Sequence, residues 1–231
     1  MSAESLKQKA AEAALDYVKP GMKLGLGTGS TANFFIKALG KKVANGFDVI
    51  CVPTSIASQE LAASLNIPLT TLDDTPALDL VVDGADELDA ELNLIKGGGG
   101  ALLREKIVAA ASSQMVVIAD DSKLVDFLGA YPLPVEVVPF GAAATIHMMK
   151  AAIKSAGASG AIRQRNNIDG TAFITDGGHY IYDCALAKIE NPKQLAKNLN
   201  LIPGVVEHGL FIGLSKVAIL ATENGIKKIE L

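Results

Sequence analysis

The sequence predicts an α/β protein built on a parallel sheet with crossover helices, followed by a smaller α+β unit. Through the first half of its 231 residues, strand-like apolar runs alternate with amphipathic helical patterns, as in repeated βα units. Some runs are continuously apolar, such as 115–119, which is typical of strands covered on both faces. The pattern changes near residues 131–134, where two prolines interrupt it. With 49% hydrophobic residues, the chain has enough apolar material for a substantial core.

The predicted elements of the first part follow the order of βα units. A helix over 4–18 ends at Pro20-Gly21, and a strand over 23–27 leads into a loop of glycine and hydroxyl residues. The next helix has apolar residues at i, i+3, i+4 and i+7, beginning at Ala32, and is expected to end at Gly40. The remaining predicted elements are strands over 48–53, 78–82 and 115–119 and helices over 55–65 and 101–112.

The predicted elements after residue 131 are shorter and more mixed. A strand over 135–138 is followed by a helix over 145–155. Residues 172–183 predict a hairpin, with a turn at Asp176-Gly177-Gly178. Asn191 followed by proline is typical of a helix start. This part therefore predicts a small α+β unit, after which the chain returns to strand-like runs over 216–222 and 226–231.

The composition argues against two classes of partner. The net charge of −4 does not suit nucleic acid, whose phosphates require a basic surface. No apolar run reaches the ~18–20 residues that a membrane-spanning helix needs. The mean hydropathy of +0.31 is nevertheless high for a protein without such a helix. We therefore expect part of the apolar surface to lie between subunits of an oligomer.

Cysteine usage and the first predicted helix indicate a cytoplasmic protein. Cys51 and Cys184 have neither a pairing pattern nor metal-ligand spacing to a histidine, so we expect two reduced, buried thiols. Glu4 and Glu12 in the first predicted helix are not typical of a signal or transit peptide.

The first candidate site is the loop Gly25-Leu26-Gly27-Thr28-Gly29-Ser30-Thr31, between a predicted strand and a helix. Glycines expose backbone amides, hydroxyls add donors, and the start of a helix attracts negative charge. The segment Thr28, Gly29, Ser30 and Thr31 therefore predicts a phosphate-binding loop, with an ordinary strand-to-helix turn as the alternative.

A dinucleotide-binding loop is a less suitable interpretation of the same segment. That motif requires glycine or alanine at its third position, where this chain has Ser30, and an acidic residue at the end of the next strand. Asp48 stands at the beginning of that strand instead. A P-loop is also excluded, because no Gly-Lys-Ser or Gly-Lys-Thr follows. A phosphate monoester fits this loop better than a nucleotide.

The second candidate site is a group of carboxylates directly after a predicted buried strand. Ligands of open α/β sheets bind at the carboxyl ends of strands, where Asp83 and Asp86 stand. We interpret these two as functional residues, although Asp-Gly is also a common turn pair. We interpret Glu87, Asp89 and Glu91 as part of a solvated loop.

The third candidate site combines a lysine, a glycine run and a glutamate. Four consecutive glycines lose much conformational entropy on folding, so their order requires a reason, such as close approach of the backbone to a ligand. Flexibility without a function is the alternative. Lys96 precedes the run and Glu105 lies early in the next predicted helix. This arrangement can place a cation and a carboxylate on opposite sides of one ligand.

Other candidate residues give weaker signals. Lys123 follows the strand over 115–119 and is a candidate phosphate ligand, although an isolated lysine is often only a surface residue. His147, His179 and His208 are scattered, without the grouping of a catalytic triad or a metalloprotease. We interpret the histidines as structural and predict no metal site.

Taken together and in order, these motifs resemble those of the type A ribose-5-phosphate isomerases of the pentose phosphate pathway. The resemblance extends over essentially the whole chain, and several motifs at this spacing are far more specific than the glycine loop alone. The matching stretches are GLGTGSTA (25–32), DGADE (83–87), KGGGGALLREK (96–106), IADDSK (118–123), PLPVEVVP (132–139) and IPGVVEHGLF (202–211).

The resemblance implies a Rossmann-like parallel-sheet domain, formed by residues 1–130 and 205–231, with an inserted ferredoxin-like α+β domain at 131–204. It also implies a homodimer, sometimes a tetramer, that needs no metal or organic cofactor. The implied activity is interconversion of ribose 5-phosphate and ribulose 5-phosphate through an enediolate. The implied substrate-binding residues are Thr28, Gly29, Ser30, Thr31, Asp83, Gly84, Ala85, Asp86, Lys96, Gly97, Gly98, Gly99 and Lys123.

The resemblance assigns the chemistry to four residues. It implies Glu105 as the base that moves a proton between C2 and C1, and we assign to Lys96 the stabilisation of the developing oxyanion. Asp83 and Asp86 are expected to assist ring opening, with Asp83 the preferred acid/base. Two departures from the family pattern lie in the small domain: no arginine follows Pro139, and His179 stands where asparagine is common.

Two other functional classes stay open from the residues themselves. A non-catalytic phosphosugar sensor would share the glycine loop, but it needs a DNA-binding domain, for which this chain has neither room nor a basic segment. A phosphosugar lactonase or an amino-sugar deaminase would call for a histidine beside an acidic residue. The run Lys96 to Gly100 followed by Glu105 fits neither of these enzymes well.

Overall fold

The structure is a computed structural model that describes residues 2–231. Its α-helices are α1 (Ala3–Ala14), α2 (Ser30–Ala44), α3 (Ile56–Ser64), α4 (Leu102–Ala110), α5 (Ala142–Ser155) and α6 (Pro192–Asn200). The strands are β1 (Met22–Leu26), β2 (Val49–Pro53), β3 (Leu80–Gly84), β4 (Glu87–Leu88), β5 (Leu94–Ile95), β6 (Met115–Asp120), β7 (Leu133–Val137), β8 (Ala161–Gln164), β9 (Tyr180–Ala185), β10 (Val205–His208), β11 (Leu210–Phe211), β12 (Val217–Thr222) and β13 (Gly225–Glu230). No helix among residues 2–231 is both long enough and apolar enough to cross a bilayer.

The chain divides into two compact units. The first unit contains the residues up to Ala85, residues 104–123 and residues from Gly213 onward. The second unit contains residues 86–103 and 124–212. In this division the segments 86–103, 124–130 and 205–212 group with the second unit, whereas the predicted boundaries place them in the first. There β5 pairs with both β4 and β11 in a small antiparallel sheet, and strands of two residues leave no readable period in the sequence.

The first unit is built on the predicted parallel sheet. Its strand order is β13-β12-β6-β3-β1-β2, and all neighbouring strands are parallel except the edge hairpin of β12 and β13. All six residues of β6 are buried, as expected for a strand covered on both faces. Helices α1 and α2 contribute to one core, in which Leu24, Phe35 and Ile36 are fully buried. These findings confirm the α/β fold class.

The predicted end of α2 at Gly40 is wrong. The helix continues to Ala44, and Gly46, with φ of +85°, follows its end. Gly40 is buried against α3, since a Cβ placed on it would lie 3.0 Å from Cβ of Leu65. The glycine therefore lets two helices approach closely, which is a packing role that a sequence pattern cannot distinguish from a helix end.

The second unit contains an antiparallel sheet with two helices. The elements follow in the order β7-α5-β8-β9-α6-β10, and the strand order in the sheet is β10-β7-β9-β8. This is the ferredoxin-like arrangement that the resemblance implied. Leu133 and Val137 of the sheet pack in one core with Met149 of α5 and Leu195 of α6. Asn191 caps α6 as predicted, since its Oδ1 accepts a hydrogen bond from Gln194 N at 3.0 Å.

The hairpin predicted over 172–183 forms only in part. Its turn is present, with Thr175 N donating to His179 O, but residue Ile174 joins Tyr180 only through an isolated bridge. Strand β9 pairs instead with β7 and with β8, and the sequence analysis did not predict β8. Most residues of β8 are exposed, so the strand lacks the apolar alternation by which strands are identified.

Candidate active site

In the first unit, the hydroxyl loop joins β1 to the start of α2. Gly29 precedes the helix with φ of +107°, a conformation that glycine adopts without strain. Ser30 and Thr31 form the first residues of α2, where backbone amides have no partner within the helix. The hydroxyl of Thr28 bonds to those of Thr54 and Ser55 at 2.7 and 2.8 Å. The loop therefore combines fixed hydroxyls with a helix N-terminus, which suits an anion.

Asp83 lies beside this loop at the carboxyl end of β3. Its Oδ1 accepts hydrogen bonds from Thr28 N at 3.0 Å and Gly84 N at 2.7 Å. The approach is so close that a Cβ on Gly27 would overlap the Asp83 carboxylate. Thr31 lies next to Gly84, at 3.9 Å from the position a Cβ would take there. Asp83 and the hydroxyl loop therefore meet at the carboxyl edge of the parallel sheet, where ligands of α/β folds bind.

Lys7 adds a cation to the hydroxyl loop, and the sequence analysis missed it. Its Nζ donates to Ser30 Oγ at 2.9 Å from α1. The two residues are 23 positions apart and no motif links them. Only the packing of α1 against α2 brings them together.

Lys123 stands at the same edge of the sheet as Asp83. It ends a short 3-10 helix, Asp121–Lys123, directly after β6. Since β6 pairs with β3, and β3 with β1, the loops that follow these three strands are neighbours. The Lys123 side chain is half-buried there. Its role as a phosphate ligand stays a prediction.

Glu105 lies near the start of α4 and is 4% exposed. The helix packs across the sheet, because Gly25 of β1 has no side chain and Val108 occupies that space. Beyond the other end of α4, Ala111 O accepts a hydrogen bond from Leu78 N, just before β3 begins. The helix therefore runs antiparallel to β3, and its first turn, with Glu105, faces the carboxyl edge of the sheet. Glu105 and Asp83 therefore both lie at the carboxyl edge of the sheet in the first unit.

In the second unit, Asp86 is tied to the glycine run. Asp86 Oδ2 accepts a hydrogen bond from Gly98 N at 2.8 Å. A Cβ on Gly98 would lie 2.6 Å from Asp86 Oδ1 and from the Tyr131 hydroxyl oxygen, so only glycine fits. Burial, and then the nearby Asp86 charge, raise the pKa of Tyr131, so its phenol stays protonated at neutral pH. These contacts hold Asp86 against the glycine run.

Lys96 directly precedes the glycine run and is 2% exposed. Its backbone amide donates to Gly209 O at 2.9 Å, next to the pairing of β5 with β11. Its Nζ lies 5.5 Å from the centre of the Phe211 ring, within the range of a cation–π contact. The site therefore holds a buried ammonium in a partly apolar environment, where its charge acts strongly on a bound group.

Glu87, His179 and His208 have structural contacts. The expectation that Glu87 belongs to a solvated loop is wrong, because this residue is buried and accepts hydrogen bonds from the amides of Gly129 and Tyr131. His179 pairs with Glu136 at 2.9 Å, and His208 is buried. Within residues 2–231, no group of three or more His, Cys, Asp and Glu side chains has a metal-binding arrangement.

Comparisons with known proteins identify the family. The family model for ribose 5-phosphate isomerase A (phosphoriboisomerase A) matches residues 50–225. A ribose-5-phosphate isomerase A from Nitrobacter hamburgensis is 59% identical, covering 100% of this chain and 99% of the relative. A solved D-ribose-5-phosphate isomerase in complex with phospho-erythronic acid has a TM-score of 0.93 at 40% identity, with full coverage of both chains. A ribose 5-phosphate isomerase from Plasmodium falciparum has a TM-score of 0.92 at 38% identity, covering 99% of each chain.

The family model matches most of the chain, and the relatives are similar over their full length. Both findings assign the chain to the same family. The resemblance seen in the motifs is confirmed: the chain belongs to the ribose 5-phosphate isomerase A family.

Proposed function

We propose that this enzyme interconverts ribose 5-phosphate and ribulose 5-phosphate through an enediolate. The observation that carries the proposal is the hydrogen bond from Thr28 N to Asp83 Oδ1, at 3.0 Å. This bond joins the anion-binding loop to the Asp83 carboxylate at the carboxyl edge of the sheet. The first turn of α4, which contains Glu105, faces the same edge. A phosphosugar requires both features, one for its phosphate and one for its hydroxyl and carbonyl groups. The family membership of the chain supports the same reaction.

In this proposal the phosphate binds to the segment Thr28 to Thr31. The amides at the start of α2 and the hydroxyls of Ser30 and Thr31 donate to its oxygens. Lys7, hydrogen-bonded to Ser30, and Lys123 supply positive charge. Because the phosphate is remote from the reacting carbons, its binding serves to orient C1 and C2.

Glu105 is the base of the proposed reaction. Its carboxylate takes the proton from C2 of the open-chain aldose, and the electron pair of that C–H bond forms the C1–C2 double bond of the enediolate. Returning the proton to C1, while the proton of the C2 hydroxyl passes to the C1 oxygen, gives the ketose. The burial of Glu105 supports this role, since a dry carboxylate is a stronger base than a hydrated one.

Lys96 and the two aspartates have the complementary roles. The Lys96 ammonium stabilises the negative charge that develops on the carbonyl oxygen. Asp83 acts as the acid/base that opens the furanose ring, and Asp86 assists the transfer of protons among hydroxyls. Gly84, Ala85 and the glycines 97–99 bind the sugar through their backbone.

The test is turnover by the purified protein in a buffer treated with a chelator. We expect ribose 5-phosphate to be converted to ribulose 5-phosphate without added metal or organic cofactor. Glu105→Gln should fold and bind phosphosugar but lose kcat by several orders of magnitude, about 10³-fold or more. Glu60→Gln, an exposed carboxylate on α3, is the matched control and should retain activity. Near-normal kcat in Glu105→Gln would remove this residue from the mechanism.

We also propose that the chain acts as a cytoplasmic homodimer, or as a tetramer built from dimers. Phe140 and Leu201 are 91% and 74% exposed, which is unfavourable for apolar side chains unless another subunit covers them. Cys51 and Cys184 are free thiols, as is usual in a reducing compartment. Sedimentation equilibrium should give about two or four times the chain mass of 24.0 kDa. A mass of one chain at micromolar concentration would contradict the proposal.

A further inference from the structure

We infer that Arg165 is a positioning residue that fixes the peptide planes of the glycine run and thereby aims the Gly99 amide at the sugar. The inference rests on the proposed function, in which glycines 97–99 bind substrate. Neither the motif resemblance nor the sequence pattern singled out Arg165, which follows β8 in a segment without apolar alternation.

Arg165 contacts two consecutive carbonyl groups of the run. Its Nη1 donates to Gly97 O at 2.9 Å and to Gly98 O at 3.0 Å. Glycine residues have many alternative backbone conformations, so a run of them remains ordered only where other groups fix it. One guanidinium nitrogen therefore orients two peptide groups that would otherwise be free to rotate.

The first of these peptide groups is fixed at both ends. The carbonyl of Gly97 and the amide of Gly98 belong to one plane and point in opposite directions. The carbonyl accepts from Arg165, and the amide donates to Asp86 Oδ2 at 2.8 Å. Arg165 and Asp86 thus hold this plane from its two sides.

The second peptide group is fixed at its carbonyl only. Gly98 O accepts from Arg165, so the amide of Gly99 in the same plane points away from the guanidinium. Gly99 is exposed, whereas Gly97 and Gly100 are buried. An amide that points away from Arg165, on the exposed residue of the run, is suited to donate to a sugar oxygen, including one that gains negative charge during the reaction.

Arg165 is itself held in position by Asp183 of β9. Its Nε donates to Asp183 Oδ2 at 2.9 Å and its Nη2 to Asp183 Oδ1, a bidentate pair. Side-chain exposures of 16% and 26% show that the pair is largely shielded from water. Its guanidinium carbon also lies 5.8 Å from the centre of the Phe173 ring, and that ring occupies the space a side chain on Gly100 would need. Lysine lacks the planar fork and cannot satisfy Asp183 and both carbonyls together.

The experiment compares Arg165→Lys and Asp183→Asn with wild type. Arg163→Lys is the matched control, because Arg163 lies two residues earlier, is exposed, and is opposite Asp183 in the strand pairing. Steady-state kinetics with ribose 5-phosphate give kcat and KM separately. Hydrogen–deuterium exchange of the segment 96–100 reports the order of the glycine run without using activity.

We expect Arg165→Lys to lower kcat roughly 10- to 100-fold with a smaller change in KM, since the phosphate-binding loop is intact. Exchange in 96–100 should become faster, and Asp183→Asn should show both effects to a lesser extent. Arg163→Lys should match wild type. Unchanged exchange in both variants, or faster exchange with unchanged kcat, overturns the inference.

If Arg165→Lys does not fold, Asp183→Asn decides by the same two readouts. Failure of the proposed function would be recognised separately, because the wild-type protein would then produce no ribulose 5-phosphate. The exchange comparison would still test whether Arg165 orders the glycine run.

Discussion

At the scale of single residues, two of the cations in the candidate site are positioned by contacts that no sequence motif describes. Lys7 reaches Ser30 across 23 positions, and Arg165 reaches Gly97 across 68. By contrast, Asp83, Lys96 and Glu105 stand in motifs whose spacing already predicted a role. The difference is physical: local motifs fix a residue's place on its own loop, whereas the partner of a long side chain depends on how helices and strands pack.

Lys7 provides a test at this scale. Replacing Lys7 with alanine removes a positive charge beside the phosphate-binding loop. A hydrogen bond from such a charged group contributes about 1.5–3 kcal/mol to binding. We therefore expect KM for ribose 5-phosphate to rise roughly 10-fold or more, while kcat changes little because the reacting carbons keep their base. Lys9→Ala, an exposed lysine on the same helix, should leave both constants unchanged. A fall in kcat with constant KM in Lys7→Ala would contradict the assigned role.

At the scale of elements, the strength of the local signal decided which predictions were correct. Asn191-Pro192 predicted the start of α6, because an asparagine cap and a proline at the first helical position act through local backbone geometry. The strand β8 was missed because its mostly exposed residues show no period. Gly40 was taken as a helix end because its packing partner, Leu65, is visible only in three dimensions.

The cap of α6 gives a prediction for stability. Asn191→Ala leaves the Gln194 amide without its side-chain acceptor and should lower the free energy of unfolding by about 1 kcal/mol. Urea denaturation followed by circular dichroism measures the effect as a lower midpoint. Asn200→Ala, at the exposed other end of the same helix, is the control and should shift the midpoint by much less. Equal shifts in the two variants would show that the cap contributes nothing specific.

At the scale of the whole molecule, the fold class and the positions of the candidate motifs were predictable from the sequence. Continuous apolar strands and βα alternation indicate a parallel sheet, and a parallel sheet gathers the loops that follow its strands at one edge. The strand order β6-β3-β1 and the grouping of 86–103 with the second unit were not predictable. Both depend on pairings between segments that are far apart in the chain. One example is the pairing of β5 with β11, each only two residues long.

The central claim is that the Glu105 carboxylate moves the proton between C1 and C2, and solvent-isotope incorporation tests it most directly. In deuterated water, wild-type protein acting on ribulose 5-phosphate should produce ribose 5-phosphate that carries deuterium at C2, as measured by NMR or mass spectrometry. Glu105→Gln, shown to be folded and to bind phospho-erythronic acid, should incorporate no more deuterium than an enzyme-free sample. Incorporation by Glu105→Gln at a rate near that of wild type would contradict the account.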